Sequence, residues 1–445
     1  MNKRDKQIFK SIPGPKEFPV LGSSLQLAKD PLHFLLNCLD EFDGPFRITV
    51  GPSKAIFFDG PNYVEHILLK QHANFSKLTT SFLRLKLFLG DGLLTIEGDQ
   101  WKKIRGTISP CFHQQYIQNL TEKINSVVNQ SLNNWKPEGK INITNSISEL
   151  TLKILINSIL NTTIEIDYEK IKCALKTIHS ELFTKIMSPL FIPLLIPTPT
   201  NLKLKKGLKI FDETIDRIIQ DRINNSIPSE KPDIIDLMME NGIDSLKDQI
   251  LMFFVAGHET TANMLIWTWY LLSKHPNVSK KLLAEIKGVL TSDNITFSDI
   301  KNLKYTKAVL LESLRLYPPV WTIPRRTIKN TIIDGFEIPK GTSAILSTYI
   351  THRNPKYWDN PADFNPDRFL EPNLQKISKF SYFPFGHGPR QCLGKEFALL
   401  EGTIILAQMA RRFEFSMINT KITLDPKLTL RPKEDIIAVV HPYNG

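Results

Sequence analysis

The chain has 445 residues, 42% of them hydrophobic, and carries a net charge of +11 from 56 basic and 45 acidic side chains, which is enough for a large core. Lysine is spread along the whole length with no dense basic tract and no nucleic-acid motif, so the charge reads as a solvated surface and no nucleic-acid partner is expected. Four cysteines, Cys38, Cys111, Cys173 and Cys392, lie far apart with no CxxC pair, which argues against a disulfide framework or a structural zinc site and favours a reducing compartment.

At the N-terminus, MNKRDKQIFKSIPGP has basic residues but lacks the apolar core of a signal peptide, and no apolar run of about 18 residues occurs anywhere to span a membrane. Pro and Gly occur as short punctuation between apolar helical patterns, without a Gly/Ser linker or an internal repeat. The expectation is one mainly helical domain over 1–445, soluble and cytoplasmic, monomeric, with no transmembrane anchor.

SFLRLKLFLGDGLL (81–94) is mostly apolar. WKKIR places Trp101 and Arg105 four apart on one helical face. MSPLFIPLLIPTPT (187–200) is apolar and broken by prolines, and reads either as a channel loop in peripheral contact with a membrane surface or as a buried irregular segment.

DQILMFFVAGHETTANMLIWTWYLL reads as one long helix, apolar almost all round, of the kind that runs inside a large core. At its centre stand Ala256, Gly257, His258, Glu259, Thr260 and Thr261. Glycine costs about 1 kcal/mol in a helix interior, and buried polar groups cost more unless paired. Such a local conflict often marks function. The plainer alternative is that Thr260 bonds back to the carbonyl of Ala256.

YTKAVLLESLRLYPPV is helical as far as Leu316, where Pro318 and Pro319 stop it. Glu312 and Arg315 share one face of that helix. VWTIPRR then offers Val320, Trp321 and Arg325, with Arg326 beside it, and FNPDRF offers Arg368. FPFGHGPRQCLG sets Cys392 among Phe385, Gly386, Gly388, Arg390 and Gly394, just ahead of the helical pattern KEFALLEGTIILAQMARRF. A lone thiolate is stabilised by a metal, by backbone N–H donors, by cations and by a helix N-terminus. The glycines are expected to supply turns with positive φ and close backbone approach to the sulfur. An inert buried thiol is the competing reading. KLTLRP, with Leu428, and the strand pattern DIIAVVHP close the chain.

Phe385-x-x-Gly388-x-Arg390-x-Cys392-x-Gly394 resembles the FxxGxRxCxG haem-ligand signature of the cytochrome P-450 family. AGHETT, ESLR, FNPDRF, WKKIR and SIPGPKEFPVLG resemble further elements of that family in the same order, over essentially the full chain. The resemblance implies a triangular helical prism with a smaller β-rich part, and heme b between a long distal helix and the Cys392 loop. It implies Cys392 as iron ligand, Phe385 and Gly394 as part of the cofactor-binding loop, and Trp101, Arg105, Arg325 and Arg390 as partners of the haem propionates. Glu259 would be a proton-relay acid and Thr260 an oxygen-side hydroxyl, on a helix whose turn is widened there. Glu312, Arg315 and Arg368 would form a structural brace.

The implied reaction is hydroxylation of a C–H bond with O2. The implied substrate is lipid-like, a fatty acid, sterol or terpenoid, in a pocket with Phe82, Leu85, Phe88, Ala256, Val320, Trp321 and Leu428. Ordinary core is the competing role for each aromatic of that set. With no fused reductase domain, electrons are expected from a separate ferredoxin or flavodoxin-like reductase, docking at a basic rim of Lys102, Lys103 and Lys395. A haem protein that only carries gas or electrons, or an isomerase of the same fold, would not need the pair of Glu259 and Thr260.

Overall fold

The structure, a computed structural model, describes residues 3–51, 53–136, 138–162, 164–188, 192–224, 232–419 and 421–443. Helices dominate, with four small sheets among the described residues. The central helix, Leu246–Lys274, runs through the largest apolar cluster and buries residues on nearly every face, as its all-round apolar sequence requires. The helices Ile143–Ile154, Tyr168–Met187, Lys304–Leu316 and Lys395–Arg412 pack against it. Gly257 sits against the turn Leu155–Ile159 that follows the first of these helices, where a Cβ would meet Leu155 Cδ1 at 3.0 Å, a tight contact at the end of a flexible side chain.

Ala256, Gly257, Glu259 and Thr260 are the partly open positions in the middle of an otherwise buried stretch. They mark where the helix borders an internal space. The widened turn expected there is absent: the segment is regular α-helix, and the Thr260 hydroxyl donates to the Ala256 carbonyl at 3.0 Å. The competing reading of Thr260 therefore describes its hydrogen bond, although the oxygen keeps lone pairs free to accept.

A five-stranded sheet has the order Phe46–Val50, Ser53–Phe58, Ser343–Leu346, Ile323–Thr327, Phe75–Ser76; it is antiparallel except for the parallel second pairing. Side chains alternate along Ile323–Thr327, so Arg325 points inward and is 8% exposed while Arg326 faces solvent. That alternation separates the two neighbouring arginines. A second sheet joins Lys140–Asn142, Ile437–Pro442 and Phe413–Met417. The hairpin of Leu424–Pro426 and Leu430–Pro432 packs on the central helix and carries Thr429 and Arg431 to Glu259. Among the described residues no helix is long and apolar enough to cross a membrane.

Of the apolar segment 187–200, residues 189–191 lie outside the described residues; the part that follows is irregular up to the helix Pro199–Asn224 and exposes Leu195 to 88%.

Candidate active site

The loop before the helix Lys395–Arg412 is folded by its own backbone. Gly386 N–H donates to the Phe383 carbonyl at 2.9 Å, Cys392 N–H to the Phe385 carbonyl at 2.8 Å, and Gln391 N–H to the Gly388 carbonyl at 3.0 Å. Gly386 and Gly388 sit at φ +68° and +70°, where side chains are strained, and a Cβ on Gly388 would collide with the Leu68 carbonyl oxygen at 1.9 Å. Gly394 departs from the expectation: its φ is −81°, open to any residue, because it occupies the N-cap of the following helix.

Cys392 retains accessible surface, yet protein surrounds it closely enough for burial to raise its thiol pKa. Both hold because the side chain borders an internal space. A hydrogen bond from the Gly394 backbone and the charges of Arg105, Lys77 and Lys395 act the other way and favour thiolate.

Four cations converge beside it. On the helix Gly98–Ile108, Trp101 and Arg105 meet as the four-residue spacing predicts, with the Arg105 guanidinium 5.7 Å from the ring centroid and Arg390 stacked at 4.0 Å. Arg105 Nη2 donates to the Gln391 carbonyl at 3.0 Å, which ties this helix to the cysteine loop. Arg325 Nη1 donates to the carbonyl of its own neighbour Pro324, and burial, followed by Arg390, pushes its pKa down to about 10. Arg390 is likewise pushed to about 10 by burial, and its Nη1 is buried without a hydrogen-bond partner.

Lys77 is the fourth, held well below the usual lysine range by burial and by Arg325 and Arg390. Glu97 faces this group, 3.9 Å from Arg390, and accepts hydrogen bonds from Ser76 and from the Lys77 backbone. Even without Lys77, whose charged form burial disfavours, one carboxylate against the three arginines leaves positive charge uncompensated, which is costly away from water unless anions arrive. The residues therefore fit heme b: a thiol bordering an internal space, with spare cations for two propionates. Lys77 and Glu97 escaped the sequence reading because no motif contains them. Pairing of Phe75–Ser76 with Arg326–Thr327 places Lys77 here.

On the central helix, Glu259 is held at Oε1, and its Oε2 packs against His179. Thr429 Oγ1 donates to its Oε1 at 2.8 Å, Arg431 Nη1 lies 3.8 Å from the same oxygen, and His179 Nδ1 meets Oε2. His179, Thr429 and Arg431 were not among the residues the sequence singled out.

Glu312 and Arg315 are both fully buried. Arg315 uses all five N–H donors, two on Glu312 (2.7 and 2.8 Å) and three on the carbonyls of His352, Pro361 and Asp363 (2.8 Å each). Glu312 also accepts from the Asn365 backbone at 2.9 Å and from Arg368 Nε at 3.4 Å. Two bonds tie this cluster to the start of the cysteine loop: Tyr382 hydroxyl to the Leu311 carbonyl at 2.8 Å, and Phe383 N–H to His352 Nε2 at 3.0 Å.

The pocket candidates divide. Leu85 and Phe88 are buried in the cluster of the central helix, and Phe82, Phe385 and Leu428 pack on it. Trp321 packs instead on the smaller N-terminal cluster, its Nε1 donating to the Lys427 carbonyl at 3.0 Å, and Val320 is 40% exposed. In the candidate rim, Lys102 pairs with Asp99 at 3.0 Å, Lys395 with Glu396 at 3.4 Å, and Lys103 reaches the Gly242 carbonyl at 3.4 Å.

The family model for cytochrome P-450 matches residues 12–439. Similar curated proteins include Cyclooctat-9-en-7-ol 5-monooxygenase of Streptomyces melanosporofaciens, 29% identical over 90% of this chain and 88% of that protein. Protein LUTEIN DEFICIENT 5, chloroplastic, of Arabidopsis thaliana is 32% identical over 90% and 72% of the respective chains. Cyclooctatin synthase of Streptomyces melanosporofaciens is 27% identical over 94% and 92%.

Proposed function

The chain belongs to the cytochrome P-450 family of haem-thiolate monooxygenases, and on that premise we propose that Cys392 is its iron ligand, within one catalytic unit spanning the chain. The observation that carries this is the cysteine bordering an internal space beside four cations and a single carboxylate. Arg105, Arg325, Arg390 and Lys77 would hold the propionates, with Trp101 stacked between two of the arginines. When bound, thiolate-ligated heme b supplies the activation of O2 for insertion of one oxygen atom into a C–H bond.

The chain's own part is positional. The Gly394 N–H and the charges of Arg105, Lys77 and Lys395 favour the thiolate that iron ligation would need, against the burial that raises the thiol pKa, and the brace of Glu312, Arg315 and Arg368 holds the loop that presents it. Glu259 would relay protons through its carboxylate, and Thr260 would pass them on once its hydroxyl turns away from Ala256. Thr260→Ala should therefore keep haem and substrate binding while product per NADPH falls several-fold and peroxide rises. Product per NADPH equal to wild type would reduce Thr260 to its back-bond.

The substrate we propose is lipid-like, a fatty acid, sterol or terpenoid, since Phe82, Leu85, Phe88 and Leu428 present apolar surface beside the central helix. The names of the Streptomyces relatives, which concern cyclooctatin and its precursor alcohol, favour the terpenoid. A haem spectral-shift screen across the three classes tests this; shifts from none of them would contradict it.

We place the enzyme in the cytoplasm, in keeping with free cysteines and no disulfide among the described residues. A ferredoxin or flavodoxin-like reductase would dock near Lys102, Lys103 and Lys395. Two of these lysines already share their charge with Asp99 and Glu396, so the rim is weakly basic. Reversing all three charges should slow the first electron transfer by about an order of magnitude at low ionic strength, without changing substrate affinity. An unchanged rate and salt dependence would put the docking face elsewhere.

A further inference from the structure

We propose that the cavity where the helices Leu246–Lys274 and Lys304–Leu316 end is a binding site for a small organic carboxylate, held through Arg353. Its volume is about 370 Å³, at the small end of the range for ligand sites. Three tyrosines, Tyr270, Tyr317 and Tyr349, share its wall with the apolar side chains of Leu271, Leu316 and Phe364. Arg353, Lys274 and His275 complete the polar part. None of the residues given above to heme b or to Glu259 lines it, so the site is separate from the reaction centre.

Arg353 is the group that calls for an anion. Its Nη1 donates to the Tyr349 carbonyl at 3.3 Å, and among the described residues no carboxylate pairs with it. The guanidinium stacks 3.7 Å from the Tyr349 ring centroid and lies 5.4 Å from that of Tyr317. A ring face favours the positive charge but does not answer the in-plane N–H donors.

Glu312 is the carboxylate whose charge reaches Arg353, yet both its oxygens are taken by Arg315, and Arg368 shares one of them. Three guanidinium groups thus lean on one carboxylate. Of the three, Arg353 is the one that lines this cavity. Burial lowers its pKa, and Arg315 acts in the same direction. An anion in the cavity offsets that repulsion and meets the donors that Tyr349 leaves over.

The remaining wall selects the kind of anion. The hydroxyls of Tyr270, Tyr317 and Tyr349 have no hydrogen-bond partner among the described residues and are not sealed from the surface, so the wall carries unspent donors. Lys274 is exposed, its Nζ 5.8 Å from the Tyr270 ring centroid, and adds a second positive charge at the rim. His275 adds none at neutral pH, since burial lowers its pKa against the pull of Asp363. One enclosed cation and one at the rim suit a monoanion. Leu271, Leu316 and Phe364 then suit an apolar body, and match a fully hydrated inorganic ion poorly.

The test uses the haem-loaded protein with benzoate as the probe, and with benzamide and inorganic phosphate beside it, read by titration calorimetry and by the haem spectrum. Benzoate should bind saturably without moving the Soret band, and about tenfold or more tighter than either of the others. Arg353→Gln, which keeps amide donors but loses the charge, should weaken benzoate by about tenfold or more with haem content unchanged. If Arg353→Gln does not fold, Lys274→Glu at its exposed position should weaken benzoate several-fold. Absence of saturable benzoate binding, or equal affinity in wild type and in whichever variant folds, overturns the proposal. Benzamide or phosphate bound as tightly as benzoate overturns it too, as does a Soret shift that saturates with the calorimetric affinity, which would put the benzoate at the haem.

Discussion

Glu312→Ala is expected to destabilise the protein by about 3–5 kcal/mol and to yield it largely without haem. The change leaves the Arg315 guanidinium fully buried with its counter-ion gone, and it removes the acceptor used by Arg368 and by the Asn365 backbone. The damage should spread to the cysteine loop by a defined route. The His352 carbonyl is held by Arg315 while its ring accepts from the Phe383 N–H, and Tyr382 is anchored on the Leu311 carbonyl, one residue before Glu312. Denaturant unfolding with a haem titration measures both effects. Glu312→Gln, which can still accept from Arg315, should fall between alanine and wild type. Full haem content and wild-type stability in Glu312→Ala would contradict the brace.

Cys392→His is expected to retain haem but to lose turnover by roughly two orders of magnitude or more, about 3 kcal/mol of barrier. Retention follows from the site's charge: Lys77, Arg105, Arg325 and Arg390 stay in place to meet the propionates. Loss of turnover follows from replacing an anionic sulfur by a neutral imidazole, since thiolate electron density favours O–O cleavage. Haem content by absorbance and product formation with a redox partner separate the two effects. Turnover near wild type would exclude Cys392 as the ligand.

The parts of this site that could be read in the sequence are those whose chemistry is local. The cysteine loop is confined to one short segment, where Gly388 must clear the Leu68 carbonyl and Gly386 must take positive φ, so its residue types sit at fixed spacing. Glu312 and Arg315 lie one helical turn apart, as do Trp101 and Arg105. The choice between Arg325 and Arg326 was latent in the strand alternation of Ile323–Thr327, but it needed the strand to be drawn first.

What escaped depends on contacts between distant segments. Lys77 and Glu97 reach the cysteine through strand pairing and a helix start, and His179 and Arg431 reach Glu259 from a neighbouring helix and a hairpin. Trp321 illustrates the opposite error, since an aromatic beside a motif reads as pocket lining while its ring packs on the N-terminal cluster. Gly394 was read as a backbone requirement and is a helix N-cap with ordinary φ.

The central claim is that Cys392, as thiolate, is the ligand of heme b. The absorption spectrum of the reduced protein under carbon monoxide tests it most directly, because the Soret band reports which protein atom ligates the iron. The account predicts the strongly red-shifted band of thiolate ligation in the wild type and its loss in Cys392→His. A wild-type band at the position given by histidine ligation, or a red-shifted band that survives in Cys392→His, would contradict it.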